Sequence, residues 1–388
     1  MSPTLYSDTI VTSNGPLSLA SMINSASPTT SVAEPSTGFR NSIINGAMRI
    51  DQRNVGQSIV ANNNAYVTDR WLLLSTFANV GTAQQLSANP PPGQTHYLTW
   101  TNSATASTST AEKGALRTSI ECNSTVAYAY GSSTAQNTVM SFWVNVSVAG
   151  NYSLTIANTN QTYGYATSYT VVSPNTWQRI VLPIPPAFGG TWRSDNTSNF
   201  LYFGWHGTTS NSVVPSSAMN AWTSTTGAMT NDVVNLGLTA SSTFSITGIQ
   251  WELGTNPTRF EHRPGAVEMQ LCQRYYEKSY EEKTAVNTST LVGAVSAVAA
   301  ATNGLPGPSY QVPKRTATSI FIRIISPKGT THATATWASG TGTDITLPSG
   351  GFGTSVTGSS AARITQINAS GLTQGSTYLY HYTIDAES

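Results

Sequence analysis

Charge is scarce in this chain. Only 9% of its 388 residues are Asp, Glu, Lys or Arg, against roughly 25% in an ordinary soluble globular protein. The formal net charge is +1 and no basic cluster is present. That argues against a nucleic-acid binder, which must concentrate Lys and Arg against phosphate. Cysteine is nearly missing as well. Cys122 and Cys272 are the only two; they could form one bridge, but two do not make a disulfide framework. Two buried thiols is the simpler reading, because free Cys is among the most buried residue types. There is no CxxC, and His96, His206, His262, His332 and His381 are scattered. No metal site and no cofactor is therefore expected. No apolar run reaches the roughly 18 residues of a membrane-spanning helix, so no membrane insertion is expected. Glu, Lys and Leu are too few for a long coiled coil.

Neutral polar residues take the place of charge. Ser and Thr together make about 27% of the chain, well above usual composition, and Asn and Gly are frequent. The surface must be covered by hydroxyls and amides. Thr, Ser, Tyr, Trp and Val favour strands and turns over helices. The length suggests about two or three domains. The opening residues, Met1 to Asp8, have neither a basic region nor an apolar stretch, so no secretory signal is expected.

Residues 1–36 have no sustained period and are rich in Ser, Thr and Pro. They read as an extended arm or linker. From 37 to 260 the chain reads as many short strands with turn signals between them, which means a sandwich or a barrel. Met140, Phe142, Val144 and Val146 alternate with Ser141, Trp143 and Asn145, the pattern of a half-buried antiparallel strand. Pro183 puts the far end of a strand starting near Trp177 at an edge or a strand end. Phe244 and Ile246 have the opposite parity to Ile249, Trp251 and Leu253, so a β-bulge is expected at Gly248.

Residues 261–285 contain the one convincing helix. Pro264 suits its first turn. Val267, Leu271 and Tyr275 form an i, i+4 row beside Glu268, Cys272, Tyr276 and Tyr280. A helix of about 15–18 residues is expected, some 25 Å long at 1.5 Å per residue. Its apolar stripe is buried either at a symmetry axis between copies or on its own β domain. Residues 286–388 return to strand-like alternation, as in Ile320, Ile322 and Ile324, and in Tyr378, Tyr380, Tyr382 and Ile384.

Three stretches taken together resemble a family of bacteriophage and prophage tail-fibre or head-fibre (spike) proteins. The first is Arg40-Asn-Ser-Ile-Ile-Asn-Gly-Ala-Met-Arg-Ile-Asp-Gln-Arg53, followed by Tyr66-Val-Thr-Asp-Arg-Trp71. The second is Ile246-Thr-Gly-Ile-Gln-Trp-Glu-Leu-Gly254, running into Pro257-Thr-Arg-Phe-Glu-His-Arg-Pro264. The third is Leu271-Cys-Gln-Arg-Tyr-Tyr-Glu-Lys278. The resemblance covers residues 40–388. It implies an all-β chain: a jelly-roll β-sandwich similar to carbohydrate-binding modules, a short connecting helix, and a smaller C-terminal β-sandwich. It implies a virion fibre or spike subunit on the particle surface, often engaged in host recognition. Residues 1–36 would dock to other virion proteins. Trimerisation is a further expectation, with Val267, Leu271 and Tyr275 as the oligomerisation row. Related carbohydrate-binding modules often carry an acidic residue just after Asn-Gly that helps bind calcium. Here Asn45-Gly46 is followed by Ala47 and Met48, so the metal is not carried over.

Eight of the nine tryptophans lie between Trp71 and Trp251. Under the family reading some of these aromatics are platforms for a host-surface glycan. The alternative is that they fill the core, since aromatics dominate core burial. Trp71, Trp177 and Trp251 sit in strand phrases and are expected in the core. Trp192 and Trp222 sit in loop-like sequence and are candidate glycan contacts, as are Tyr163 and Tyr165. Between residues 60 and 255 the only acidic residues are Asp69, Glu112, Glu121, Asp195, Asp232 and Glu252, and no two are close in sequence. A glycan-cleaving enzyme needs two carboxylates about 5–10 Å apart. No nucleophile elbow, phosphate loop or zinc-protease motif is present, and the chain is expected not to be an enzyme. A capsid decoration or cement protein without a receptor is the second reading, and a glycan-depolymerising spike the third.

Overall fold

The structure is a computed structural model. It describes residues 9–12, 15–18, 39–60, 65–75, 81–103, 113–195, 197–207, 213–214, 216–224, 226–227, 229–302, 304–316, 320–329, 334–337, 344–346, 366–368 and 372–387. Met1–Arg40 and Asn41–Ser388 form two compact units. In the first, Thr9–Thr12 and Gly15–Ser18 pair antiparallel, with Thr9 opposite Ser18. A hairpin thus occupies part of the stretch expected as an extended arm.

The second unit is built on two antiparallel sheets. One has seven strands, in the order Trp222–Thr223, Gly164–Val171, Gly150–Ala157, Ser198–Gly207, Lys113–Glu121, Trp71–Ser75 and Ala65–Thr68. The other has six, in the order Gln178–Ile184, Thr138–Val146, Thr243–Leu253, Tyr97–Thr101, Thr82–Leu86 and Ile59–Val60. Their inner faces meet in one hydrophobic core. The all-β sandwich expected from the sequence is the architecture observed.

Alternation fixes which face is inside. Met140, Phe142, Val144 and Val146 are buried, while Trp143 and Asn145 are only half-buried on the other face. Gln178–Ile184 is an edge strand, so Pro183 takes a position where its missing N–H leaves no neighbour unpaired. The bulge falls where the parity switches. Register against Thr138–Val146 shifts between Thr247 and Gln250, and Gly248 takes φ +63°, a conformation that costs glycine little. The bulge returns Ile249 and Trp251 to the inner face, and both are fully buried.

Trp71 and Trp251 lie in this core. At about 25 cal/mol per Å², a buried indole of roughly 200 Å² contributes about 5 kcal/mol. Trp177 does not join them. It sits half-buried at the start of the edge strand, its ring edge-on to Tyr97 at 5.2 Å, and its indole N–H donates to the Asn89 carbonyl at 3.0 Å. Its strand turns odd-numbered side chains outward, as the alternating burial of Gln178–Ile184 records, so the expectation of a core Trp177 is corrected. Cys122 and Cys272 are buried free thiols.

The helix is shorter than the sequence predicts. It spans Gly265–Gln273, nine residues, and Tyr276–Lys278 is already a strand paired with Thr377–Asp385. Tyr275 therefore lies beyond the helix and is buried within its own chain. Its hydroxyl donates to Glu121 at 2.6 Å, and the Arg70 guanidinium lies over its ring at 3.4 Å. Val267 and Leu271 are half-buried. The oligomerisation row is corrected on this point, because Tyr275 is committed inside the chain.

The C-terminal β segment is organised around Thr377–Asp385. That strand pairs with Tyr276–Lys278, Val295–Val298, Phe321–Ile325 and Thr334–Trp337. Its tyrosines alternate into a second core. Tyr378, Tyr380, Tyr382 and Ile384 pack there with Ile324, Leu305 and Leu372. Buried charge joins this segment to the sandwich. Arg70 pairs with Glu387 and donates to the Ser119 carbonyl. Arg53 pairs with Asp385 at 2.5 Å. Arg274 grips Glu121 through two hydrogen bonds, at 2.7 and 3.0 Å.

Candidate functional site

The four aromatics singled out in the sequence come together at one place on the sandwich. Tyr165, in the strand Gly164–Val171, stands directly opposite Trp222 in register. Tyr163 precedes that strand in a tight loop. Asn158 holds the loop: its Oδ1 accepts the backbone N–H groups of Thr162 at 2.9 Å and Tyr163 at 3.1 Å. Its Nδ2 donates to the Thr191 carbonyl at 3.1 Å. One buried amide thus ties the Tyr163 loop to the loop that carries Trp192.

The rings are mutually oriented. Trp192 and Trp222 meet edge to face, with centroids 5.5 Å apart. Tyr130 is edge-on to both, at 5.1 and 5.2 Å. Tyr163 runs parallel to Trp222 at 6.2 Å, an offset stack. Such pairs contribute about 0.5–1.5 kcal/mol each beyond burial. Gly189 and Gly190 lie flat on Tyr163, where a Cβ on Gly190 would sit 2.5 Å from the ring. Gly190 also has φ +81°, so this turn needs glycine for two independent reasons.

Burial divides the group. Tyr165 is buried in the core, whereas Tyr163, Trp192 and Trp222 are half-buried. Both indole N–H groups are used internally: Trp192 donates to Gly189 O at 3.0 Å and Trp222 to Pro185 O at 2.7 Å. These rings can offer apolar faces to a ligand but no further donors. The sequence reading missed Phe188, which shares the Trp192 loop and is 62% exposed. Its signal was available, an aromatic between Pro185-Pro186 and Gly189-Gly190.

The rim is polar and carries no net charge. Gln161, Thr162 and Thr191 are exposed. Asp195 is held by Thr197 and Arg193, and those hydrogen bonds keep its carboxyl down at about 2. Half-buried rings beside amides and hydroxyls can take a ligand that has an apolar face and many hydroxyls. Among the described residues no group of His, Cys, Asp and Glu is arranged to hold a metal ion.

No family model matches the chain, and no curated protein sequence matches it. Solved structures with a similar strand arrangement are a phage tailspike domain and carbohydrate-binding modules. The enzymatically active domain of tailspike protein 4 from bacteriophage CBA120 is 12% identical, over 55% of this chain and 22% of that one, with a TM-score of 0.31. This chain thus spans about a fifth of the tailspike chain it is similar to. TmCBM61 in complex with beta-1,4-galactotriose is 9% identical, over 56% of this chain and all of that one, with a TM-score of 0.29. The family 11 carbohydrate-binding module from Clostridium thermocellum, in complex with a mixed-linked tetrasaccharide, is 13% identical, over 52% and 97%, with a TM-score of 0.26. One expectation is corrected here. The chain was expected not to be an enzyme, yet the tailspike structure is an enzymatically active domain. The exclusion of activity is withdrawn.

Proposed function

We propose that this chain recognises a glycan on a host surface, as a fibre or spike subunit of a virion. The observation that carries the reading is the convergence of Tyr163, Trp192 and Trp222, in loops that also carry the exposed Phe188, with a rim of hydroxyls, amides and one ion pair. Sugar C–H faces stack on such rings, and the rim supplies directional hydrogen bonds. Phe188→Ala is expected to weaken binding to a glycan panel by about 0.5–1.5 kcal/mol, up to about tenfold in Kd. Its melting temperature should stay unchanged, because the ring packs on little. Trp222→Ala is expected to lower both binding and stability, the latter by about 2 kcal/mol, since the indole rests on the core. Wild-type binding to a panel glycan that Phe188→Ala leaves unaltered would remove this surface from the reading.

Anchoring is assigned to residues 1–36, within a compact unit of its own. The copies are taken to form a homotrimer, whose multivalency would raise avidity through effective concentration. Leu291, Val292 and Phe321 are exposed apolar side chains suited to cover by another copy. A chain lacking residues 1–36 should fold and run at the native mass of three chains, yet fail to join particles. Incorporation at the wild-type level would reject the anchoring role, and a native mass of one chain would reject the trimer.

A further inference from the structure

A second site lies where the first two signature phrases pack together. Arg263 donates to the carbonyls of Ile43, at 3.0 Å, and Asn41. Asn41 in turn donates to Ile249 O at 3.0 Å. Between these phrases and the start of the helix is a cavity of about 140 Å³, close to the volume that admits a single six-membered ring. Arg49, Gln94, Thr95, Phe260, Glu261 and Glu268 all contribute to its wall.

Most of the charge in this wall is committed. Glu268 accepts the Asn45 backbone N–H at 2.5 Å and pairs with Arg263. Glu261 accepts the Asn41 backbone N–H at 3.1 Å and also pairs with Arg263. Two groups are not committed. Among the described residues, the half-buried Arg49 guanidinium has no ion pair and no hydrogen bond. It lies against Gly265, where an added Cβ would meet its Nη2 at 2.7 Å. Gln94 is only 8% exposed, and its buried Oε1 has no hydrogen-bond partner. An acceptor buried without a partner costs about 1–3 kcal/mol, and a ligand donor reaches it once the Gln94 amide turns toward the cavity that the residue lines. Gln94 can stand there because the bulge residue is glycine: a Cβ on Gly248 would come within 3.1 Å of its Nε2. Phe260 adds a half-buried ring, edge to face with His262 at 4.9 Å.

We infer that this cavity is a subsite for an acidic sugar residue, a hexose bearing a carboxylate. Its carboxylate pairs with Arg49, a hydroxyl donates to Gln94 Oε1, and its ring face lies on Phe260. The inference rests on the glycan-recognition reading and names the sugar class for a site separate from the Phe188 surface. A neutral sugar would satisfy Gln94 and leave Arg49 unpaired.

The test is calorimetric titration of the full chain with a uronate-containing trisaccharide and with its carboxyl-reduced counterpart. Wild type is expected to prefer the acidic trisaccharide by about tenfold or more. Arg49→Gln should abolish that preference while keeping the melting temperature, and Phe188→Ala should leave it intact. Equal affinity for both trisaccharides, or an Arg49→Gln variant that keeps the preference, overturns the acidic subsite. If the acidic trisaccharide does not bind while neutral panel glycans bind through Phe188, the subsite fails and the broader reading stands. If no sugar of either kind binds, both fail.

Discussion

Arg70→Met is expected to destabilise the protein by about 3–5 kcal/mol, the usual cost of removing one partner from a buried ion pair. Arg70 is 2% exposed and Glu387 is 8% exposed. Without the guanidinium, Glu387 keeps only Arg53, at 3.5 Å, and Tyr275 loses the cation over its ring. Urea denaturation measures the effect, and an unchanged midpoint would mean that this joint contributes nothing to stability. The same joint sets a pH dependence. Burial raises the Glu121 carboxyl, but the hydrogen bonds from Arg274 and Tyr275 outweigh it and leave the group below its ordinary 4.5. Its contribution is therefore present above pH 4.5 and is lost as pH falls through the lower folded value. Asp69 acts in the opposite sense. Burial lifts it from 3.8 to about 7, with Arg53 and Gln52 only partly offsetting the cost. Between those values the folded chain holds the proton that the unfolded chain has released, so stability falls as pH rises. Asp69→Asn should flatten that slope.

Lys314→Met should cost a similar amount, about 3–5 kcal/mol. Lys314 and Glu277 are both fully buried and meet at 2.5 Å. Glu277 also accepts the Tyr382 hydroxyl at 2.7 Å and the Gln311 backbone N–H at 3.1 Å. Removing the ammonium strands a carboxylate inside the C-terminal core. Burial already pulls the Lys314 amine below its ordinary value, despite the neighbouring carboxylate, so desolvation of this pair is costly. The double variant Lys314→Met with Glu277→Leu should recover much of the loss, because no lone charge remains. A double variant as unstable as the single one would show that the hydrogen bonds of Glu277, not charge pairing, hold the segment.

Much of the sandwich could be read from spacing alone. A period of two marks Met140 to Val146, and a change of parity marks the bulge at Gly248, because both follow from backbone geometry that neighbours cannot easily override. The helix was read too long for a physical reason. Tyr275, Tyr276 and Tyr280 fit two adjoining helical rows, but Tyr276–Lys278 pairs as a strand once Thr377–Asp385 supplies partners, and tertiary pairing overrides a weak local preference. The aromatics of the candidate site were identifiable as loop residues, yet their meeting depends on the Asn158 amide and on glycines that lie flat on Tyr163. Phe188 was passed over although the flanking Pro185-Pro186 and Gly189-Gly190 mark it as a loop aromatic. Arg49 and Gln94 lie far apart in sequence, and only folding shows which polar groups are left without partners.

The central position of Thr377–Asp385 bears on how the chain is made. Tyr276 pairs with Asp385, a partner about a hundred residues further along, and contacts of such separation form slowly. During synthesis Tyr276–Lys278, Val295–Val298 and Phe321–Ile325 emerge well before the strand that joins them. For that interval their backbone N–H and C=O groups are open to strands of another nascent chain. The same delay gives any neighbouring nascent chain time to exchange strands, and makes this sheet the step at which correct folding and aggregation compete.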